Sequence, residues 1–292
     1  MDVSSANPPL GPVSDRARPR CPTVRVLTYN IHGWRDAHGQ IDVARLARII
    51  QASQADIVAL NEVFHPLVPP GETRPALDLL AEALGMSYAF GVALTPQFAF
   101  APLAAYGNAL LTRYPLLAHA GHHLTPIDGH EQRGLLEARL LLPDSQSPFS
   151  VYVTHLDHLS EAVRVQQLAA LLQWTIRDRE RPHLLLGDFN ALAASDFQAD
   201  PAALAALQAS DSFQRLVRQG MEVTASLLRR GYSDAQAASA APTYPSQQPQ
   251  VRIDYIWLSA RLAPALRWCQ RWITPETGVA SDHLPVLAEI EL

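Results

Sequence analysis

Polar side chains able to bind phosphate, move protons or hold hard cations recur where the apolar runs of this chain stop: Asn30, His32, Glu62, His155, Asp157, Asp188, Asn190, Asp254, Asp282 and His283. The run His183-Leu184-Leu185-Leu186 ends in Gly187-Asp188-Phe189-Asn190, and Ser281-Asp282-His283 stands just before Leu284-Pro285. A strand buried along its length delivers its last side chains to the rim of a sheet, where a carboxylate reaches a substrate without being fully desolvated. Two rims far apart in sequence can therefore share one pocket. Taken singly, each residue has an ordinary structural explanation, because Asn and Asp favour strand-to-loop junctions and His commonly satisfies a backbone carbonyl. Their joint recurrence at strand ends is what points to chemistry.

The elements that must position these residues alternate. Val24 to Ile31 reads as a β-branched strand, followed by a helix capped by Asp42 with Val43, Leu46, Ile49 and Ile50 on one face. Ala55 to Val63 reads as a buried strand, and Leu77, Leu80 and Leu84 mark a helix that Gly85 ends. Asn108 to Thr112, Leu135 to Leu142 and Val151 to Leu156 are short apolar stretches suited to antiparallel strands. Ser160 opens a helix with Val165, Leu168, Ala169, Leu172 and Ile176 expected on its buried side, leading into the strand that ends at Asp188. Arg252 to Ser259 and Val286 to Leu292 complete the strands. The pattern predicts an α/β domain over residues 23–292, with a mixed sheet, behind a disordered lead at 1–22. Between Ala191 and Gln250 the chain is rich in Ala, Ser and Gln, with a helix start at Asp200-Pro201 and no strong strand, which predicts a variable surface excursion.

Composition narrows the function. A chain of 292 residues with 48% hydrophobic content can bury a large core. Its formal charge of −5, with every basic side chain an Arg, provides no overall cationic surface for a polyanion. Cys21 and Cys269 lie in no metal-ligand or disulfide pattern. The Pro-rich first residues lack the apolar core of a secretory signal, and no run is long enough for a membrane span, so a cytoplasmic monomer without stable membrane insertion is expected.

Several segments, taken in order, carry a resemblance: Thr28-Tyr29-Asn30-Ile31-His32, Asp56-Ile57-Val58-Ala59-Leu60-Asn61-Glu62, Gly107-Asn108-Ala109-Leu110-Leu111, Thr154-His155-Leu156, Gly187-Asp188-Phe189-Asn190, Arg252-Ile253-Asp254-Tyr255-Ile256 and Ser281-Asp282-His283. From about Val24 to Leu292 the chain resembles the endonuclease/exonuclease/phosphatase superfamily, which includes pancreatic-type deoxyribonuclease, abasic-site endonucleases, sphingomyelinases and inositol-polyphosphate phosphatases. The resemblance implies a four-layer α/β sandwich, two mixed β-sheets face to face with helices outside. It also implies a phosphoesterase, foremost a phosphodiesterase, with a nuclease or a phosphomonoesterase as alternatives. The substrate would be a phosphodiester in a nucleic acid, a lipid head group or a small molecule.

The same resemblance implies roles. Glu62 would hold a divalent cation, Mg²⁺ or Mn²⁺, with Asn30 at its edge and Asp282 as a further or water-bridged ligand. His283, oriented by Asp254, would donate to the scissile phosphate. Asp188 would align and deprotonate the attacking water with Asn190 beside it, and His155 would be a second donor to phosphoryl oxygens. Tyr106 and Asn108 match a segment lining the cleft, and Arg133 matches the family's common Arg at the start of a strand, where its fork would suit a phosphate. His32 stands where the family usually has an acidic or polar residue, and it is expected on the cleft wall with Trp34. A nuclease would further need a positive groove, for which Arg35, Arg113, Arg133 and Arg252 are the candidates.

Two other readings compete. His155-Leu156-Asp157-His158 resembles the later part of the His-rich element of dinuclear zinc hydrolases, with Val153 in place of the first His. A non-catalytic scaffold of the same fold is a third class. His119, His122 and His123 read as a solvated loop rather than a metal site.

Overall fold

The computed structural model describes residues 23–95, 103–143, 145–210, 213, 216 and 220–291. The lead expected at 1–22 lies outside the described residues. Among the described residues, twelve strands form two six-stranded sheets. In the first, β11 (Leu266–Arg271), β12 (Val286–Glu291), β1 (Thr23–Asn30), β2 (Ile57–His65), β4 (Ala105–Thr112) and β3 (Ser87–Leu94) lie side by side in that order. The second runs β5 (Leu116–His123), β6 (Gly134–Leu140), β7 (Phe149–His155), β8 (His183–Asp188), β10 (Asp254–Leu258) and β9 (Ser233–Asp234). Each sheet has one parallel pair, β1 with β2 and β7 with β8, among antiparallel neighbours. Both are therefore mixed.

Alternation along the interior strands makes the layers. Val24, Val26, Ile57, Ala59, Leu110, Leu136, Ala138, Val151, Val153, Leu184, Leu186, Ile256, Val286 and Ala288 form one buried cluster, the seam between the sheets. Residues one position away, such as Leu27, Tyr29, Val58 and Leu60, face the opposite side with Leu46, Ile49 and Ile50 of α1 (Val43–Ser53) and Leu77 and Leu80 of α2 (Ala76–Leu84). On the second sheet Tyr152, Leu185, Tyr255 and Trp257 pack with Leu168, Leu171 and Leu172 of α3 (Glu161–Thr175). Period-two burial on both faces yields four layers, helices outside and sheets inside.

Local signals account for the helix ends. The Asp42 side chain accepts from the Arg45 N–H, and Gly85 takes the left-handed conformation at φ 62°. The Asp200 carboxylate caps α4 (Pro201–Ala209), whose first residue is Pro.

The structure corrects three expectations. In α3 the buried face is Val163, Arg164, Gln167, Leu168, Leu171, Leu172 and Thr175, whereas Ala169 and Ile176 are exposed. The helix is rotated because polar ties fix it: Gln167 accepts from the Asp157 N–H, and Arg164 binds both Glu161 and the Asp157 carbonyl. The His119 to His123 segment is strand β5, in which His122 stacks on Trp174 at 3.6 Å and bonds Glu137. The 191–250 stretch contains the edge strand β9 and the helix α5 (Glu222–Arg229), whose Val223 and Leu227 are fully buried in the outer layer. It also has a small core of its own, Leu207 and Phe213 against Leu192, Val251 and Ile253.

Candidate active site

Register decides where the polar strand ends meet. Asn30 pairs with Asn61 in parallel β1 and β2, His155 with Asp188 in parallel β7 and β8, and Asp254 with Asp188 across antiparallel β10. Tyr106 at the start of β4 pairs with Phe64 near the end of β2. The ends of the parallel strands and the beginnings of their antiparallel neighbours thus share one edge of the sandwich. A cleft of about 610 Å³ opens there, lined among others by His32, Glu62, Tyr106, Arg133, His155, Asp188, Asn190, Asp282 and His283.

Two backbone devices aim these side chains. The β2–β4 register shifts between Leu60 and Val63, and Glu62 within the shift has φ 58°, turning its carboxylate from the sheet toward the cleft. Gly187 has φ 136°, and a Cβ there would meet the Thr154 carbonyl at 1.9 Å. Only glycine lets β8 run that close to β7 immediately before Asp188.

At the centre is a chain of acids and imidazole. His283 Nδ1 lies 2.9 Å from Asp254 Oδ2, and its Nε2 lies 3.7 Å from Asp188 Oδ2. Burial opposes the imidazolium, but Asp254, Asp188 and Asp282 outweigh it and hold its pKa up to about 10. Thr243 Oγ1 donates to the same Asp254 oxygen at 2.6 Å. Asp188 is buried; its carboxylate accepts from the Asn30 amide at 3.0 Å and from the Asn190 N–H at 2.8 Å, while its own N–H donates to Asn61 Oδ1. Burial pushes its carboxyl up to about 7, with His283 pulling it down and Asp254 pushing it up. The Asn30 Nδ2 also donates to Glu62 Oε1 at 3.0 Å, so one amide links the Glu62 and Asp188 carboxylates.

A second cluster adjoins it. Arg133 is buried, with Nη1 2.9 Å from His155 Nδ1 and Nη2 3.2 Å from His158 Nδ1. Glu131 pairs with the guanidinium at 3.0 Å, and Tyr106 Oη lies 3.4 Å from His155 Nδ1. Burial, then Arg133, His283 and His158, depress the His155 pKa well below the usual value, so this imidazole is neutral.

The donor set fits a hard divalent cation. Half-buried Glu62 and Asp282 offer oxygen atoms on the open wall of the cleft, which suits an ion that keeps part of its water shell. Among the described residues, Asp188, Asp254 and His283 are the group whose ligand atoms all lie within 4.8 Å of one another.

Other expected residues stand elsewhere. Asn108 is not on the cleft wall: it is buried beneath it, accepts from Asn61 and donates to the Gly134 carbonyl, tying the sheets together. Asn30 lies beneath the cleft floor too, its Oδ1 taken by the His32 N–H. His32 does reach the wall, 3.8 Å from Asp282, but Trp34 is 1% exposed and bonds the Phe64 carbonyl, so it closes the core. Of the four arginines expected to make a positive groove, Arg35 and Arg133 line the cleft, whereas Arg113 sits at the opposite end of β4 beside Asp56 and Arg252 is buried between Asp196 and Asp234. The zinc-type element fails on chemistry, because the Arg133 cation lies between His155 and His158 and Asp157 binds His130 and two backbone N–H groups.

Asn61, Thr243, Tyr244, Glu131 and His158 are parts of the site that strand-end reasoning misses. Asn61 accepts from the Asp188 N–H at 2.9 Å, and the Tyr244 ring stands 4.9 Å from that of His283. Asn61 precedes Glu62 within a matched segment, which was the available signal. Tyr244 follows no apolar run, and His158, two positions beyond Leu156, was read only as part of the zinc-type element.

Residues 27–283 match the model of the Endonuclease/Exonuclease/phosphatase family. The chain belongs to this family. Members of the family are hydrolases acting on phosphoester bonds. The chain is 30% identical over 279 residues to the uncharacterized protein YbhP of Escherichia coli K12, covering 92% of this chain and 96% of that one. Its fold is similar to that of an endonuclease/exonuclease/phosphatase from Beutenbergia cavernae, with a TM-score of 0.70, 23% identity, and coverage of 92% of this chain and 72% of the other. It is also similar to the mannosyl-6-phosphatase Bt3783 of Bacteroides thetaiotaomicron, with a TM-score of 0.60, 18% identity, and coverage of 92% and 100%. Among the described residues no helix is long and apolar enough to cross a membrane.

Proposed function

We propose that this protein is a Mg²⁺- or Mn²⁺-dependent phosphodiesterase that cleaves its ester by in-line attack of water. The observation that carries the reading is the Asp254–His283–Asp188 chain facing Glu62 and Asp282 across one cleft. Glu62 and Asp282 hold the cation, which when bound neutralises phosphoryl charge. Asp188, kept in place by Asn30 and the Asn190 N–H, takes the proton of the attacking water. His283 donates from Nε2 to a phosphoryl oxygen, with Asp254 on its other nitrogen stabilising the charged ring. No covalent enzyme intermediate is needed.

Space favours a diester over a monoester. The rim residues His32, Arg35 and Asp282 also line an adjoining trough with Asp36, Ser246 and Gln248, so there is room for an organic group on either side of the phosphate. Phe213, Leu216, Tyr244 and Ile253 give the first side an apolar wall. The placement of Arg113 and Arg252 away from the cleft supports a small ester rather than a DNA duplex. The test is hydrolysis of bis-(p-nitrophenyl) phosphate, p-nitrophenyl phosphate and plasmid DNA with Mg²⁺, Mn²⁺ or chelator, for wild type, Asp188→Ala and His283→Ala. Faster metal-dependent turnover of the diester, lost in both variants, supports the reading. Monoester preference or metal-independent turnover overturns it.

A further inference from the structure

We propose that Arg133 is a positioning residue that sets the tautomers of two histidines at once, placing the ring proton on Nε2 of both His155 and His158. The two rings then present paired N–H donors to the oxygens of the substrate phosphate. The inference rests on the phosphoesterase reading for its catalytic consequence, but its structural half stands alone.

A guanidinium has five donors and no acceptor, and it does not lose its proton. Arg133 Nη1 at 2.9 Å from His155 Nδ1 and Nη2 at 3.2 Å from His158 Nδ1 can therefore only donate, and both Nδ1 atoms must accept. In a neutral imidazole the other nitrogen then carries the hydrogen. For His155 that N–H points toward Asp188, whose Oδ2 is 3.6 Å away, at the place where a phosphoryl oxygen would be bound. His158 is exposed and lines the same cleft. Arg133 itself is 3% exposed, with Glu131 at 3.0 Å on the same Nη1. This is the setting of a side chain that acts through its neighbours rather than as a fork for phosphate.

One contact argues the other way. Asn190 Nδ2 lies 3.1 Å from His155 Nε2, and donation from it would drive the proton to Nδ1. That arrangement would aim an N–H at the guanidinium. The same Nδ2 donates to the Leu156 carbonyl at 3.1 Å, so the amide has an acceptor without the ring. Arg133 Nη2 has His158 Nδ1 at 3.2 Å and its Nη1 faces His155 Nδ1 at the shorter distance, so it decides the tautomer, and the His155 Nε2–H is left facing the Asp188 carboxylate.

The test is ¹⁵N spectroscopy of the histidine-labelled full chain at pH 7.5, with the two rings assigned by His155→Gln and His158→Gln. Unprotonated Nδ1 and protonated Nε2 on both rings are expected; a protonated Nδ1 on either overturns the proposal. Arg133→Met should mix the tautomers and lower kcat on bis-(p-nitrophenyl) phosphate by about 10- to 100-fold, with KM changed less than threefold. Arg133→Lys, with one donor head in place of the fork, should restore the tautomer of one ring and part of kcat. Unchanged tautomers in a folded Arg133→Met, or a loss of activity without a tautomer change, refutes the positioning role. Should wild type hydrolyse no phosphoester, the phosphodiesterase reading fails while the ring spectra still decide the tautomers.

Discussion

His283 Nδ1 stands 2.9 Å from Asp254 Oδ2, a contact between the start of β10 and the loop that enters β12, each in a different sheet. It bridges the two halves of the sandwich at the floor of the cleft. Asp254→Asn keeps the shape and removes the charge that holds the imidazolium. We expect kcat on bis-(p-nitrophenyl) phosphate to fall by about 10²- to 10³-fold, as for loss of one preorganised transition-state donor, with little change in KM. A loss below threefold would show that His283 does not act as the charged donor.

The same chain makes stability depend on pH. Asp188 has its folded pKa raised from 3.8 to about 7, chiefly by burial, so the contribution that favours folding in acid is lost as pH rises through about 7. For His283, raised from 6.5 to about 10, the contribution is complete below about 6.5 and is lost as pH climbs toward 10. Both effects have the same sign. With chelator present, the wild-type melting temperature should therefore decline between pH 5 and pH 9, and Asp188→Asn should flatten the part below pH 8. Parallel melting profiles for the two proteins would contradict the assignment.

Glu62 faces the cleft from a left-handed backbone position, and its Oε1 already accepts from Asn30. Glu62→Gln halves the strength of that oxygen set by removing its charge. The Mg²⁺ concentration giving half-maximal activity should rise at least about tenfold, as read by a metal titration of turnover. An unchanged midpoint would move the cation away from Glu62.

Arg252 is 2% exposed, pairs with Asp196 and Asp234 at 2.7 Å each, and lies over the Tyr255 ring. Breaking one side of such a buried network leaves uncompensated charge, so Arg252→Met should cost roughly 3–5 kcal/mol in urea unfolding. If DNA is cleaved at all, the salt dependence of cleavage should not change in this variant. A reduced salt slope would restore Arg252 to the substrate surface.

Gly187→Ala tests the strand geometry. Its Cβ would overlap the Thr154 carbonyl, and the φ of 136° suits no side chain. We expect a loss of at least about 3 kcal/mol in the same unfolding measurement, and a loss of soluble yield. A variant with wild-type stability would mean that β7 and β8 can separate without cost.

What could be read from the sequence follows burial. The eight strands with apolar runs, β1, β2, β4, β6, β7, β8, β10 and β12, are the interior strands of the two sheets, and the four left unmarked, β3, β5, β9 and β11, are the sheet edges. An interior strand is covered on both faces and must be apolar nearly throughout, whereas an edge strand such as β5, exposed along most of its length, carries no such pattern. The site divides in a similar way. Glu62, Asp188, Asp254 and His283 end or adjoin apolar runs, so their types and spacing already implied a shared rim. Which of the polar residues face the cleft and which brace it was settled by pairing register and rotamer: Asn108 and Trp34 went into the interior, Arg252 into an ion pair, and His158 joined His155 on one guanidinium. Those outcomes depend on contacts between residues of different strands and sheets, and a linear chain carries no direct record of which partner will meet each donor once the layers close.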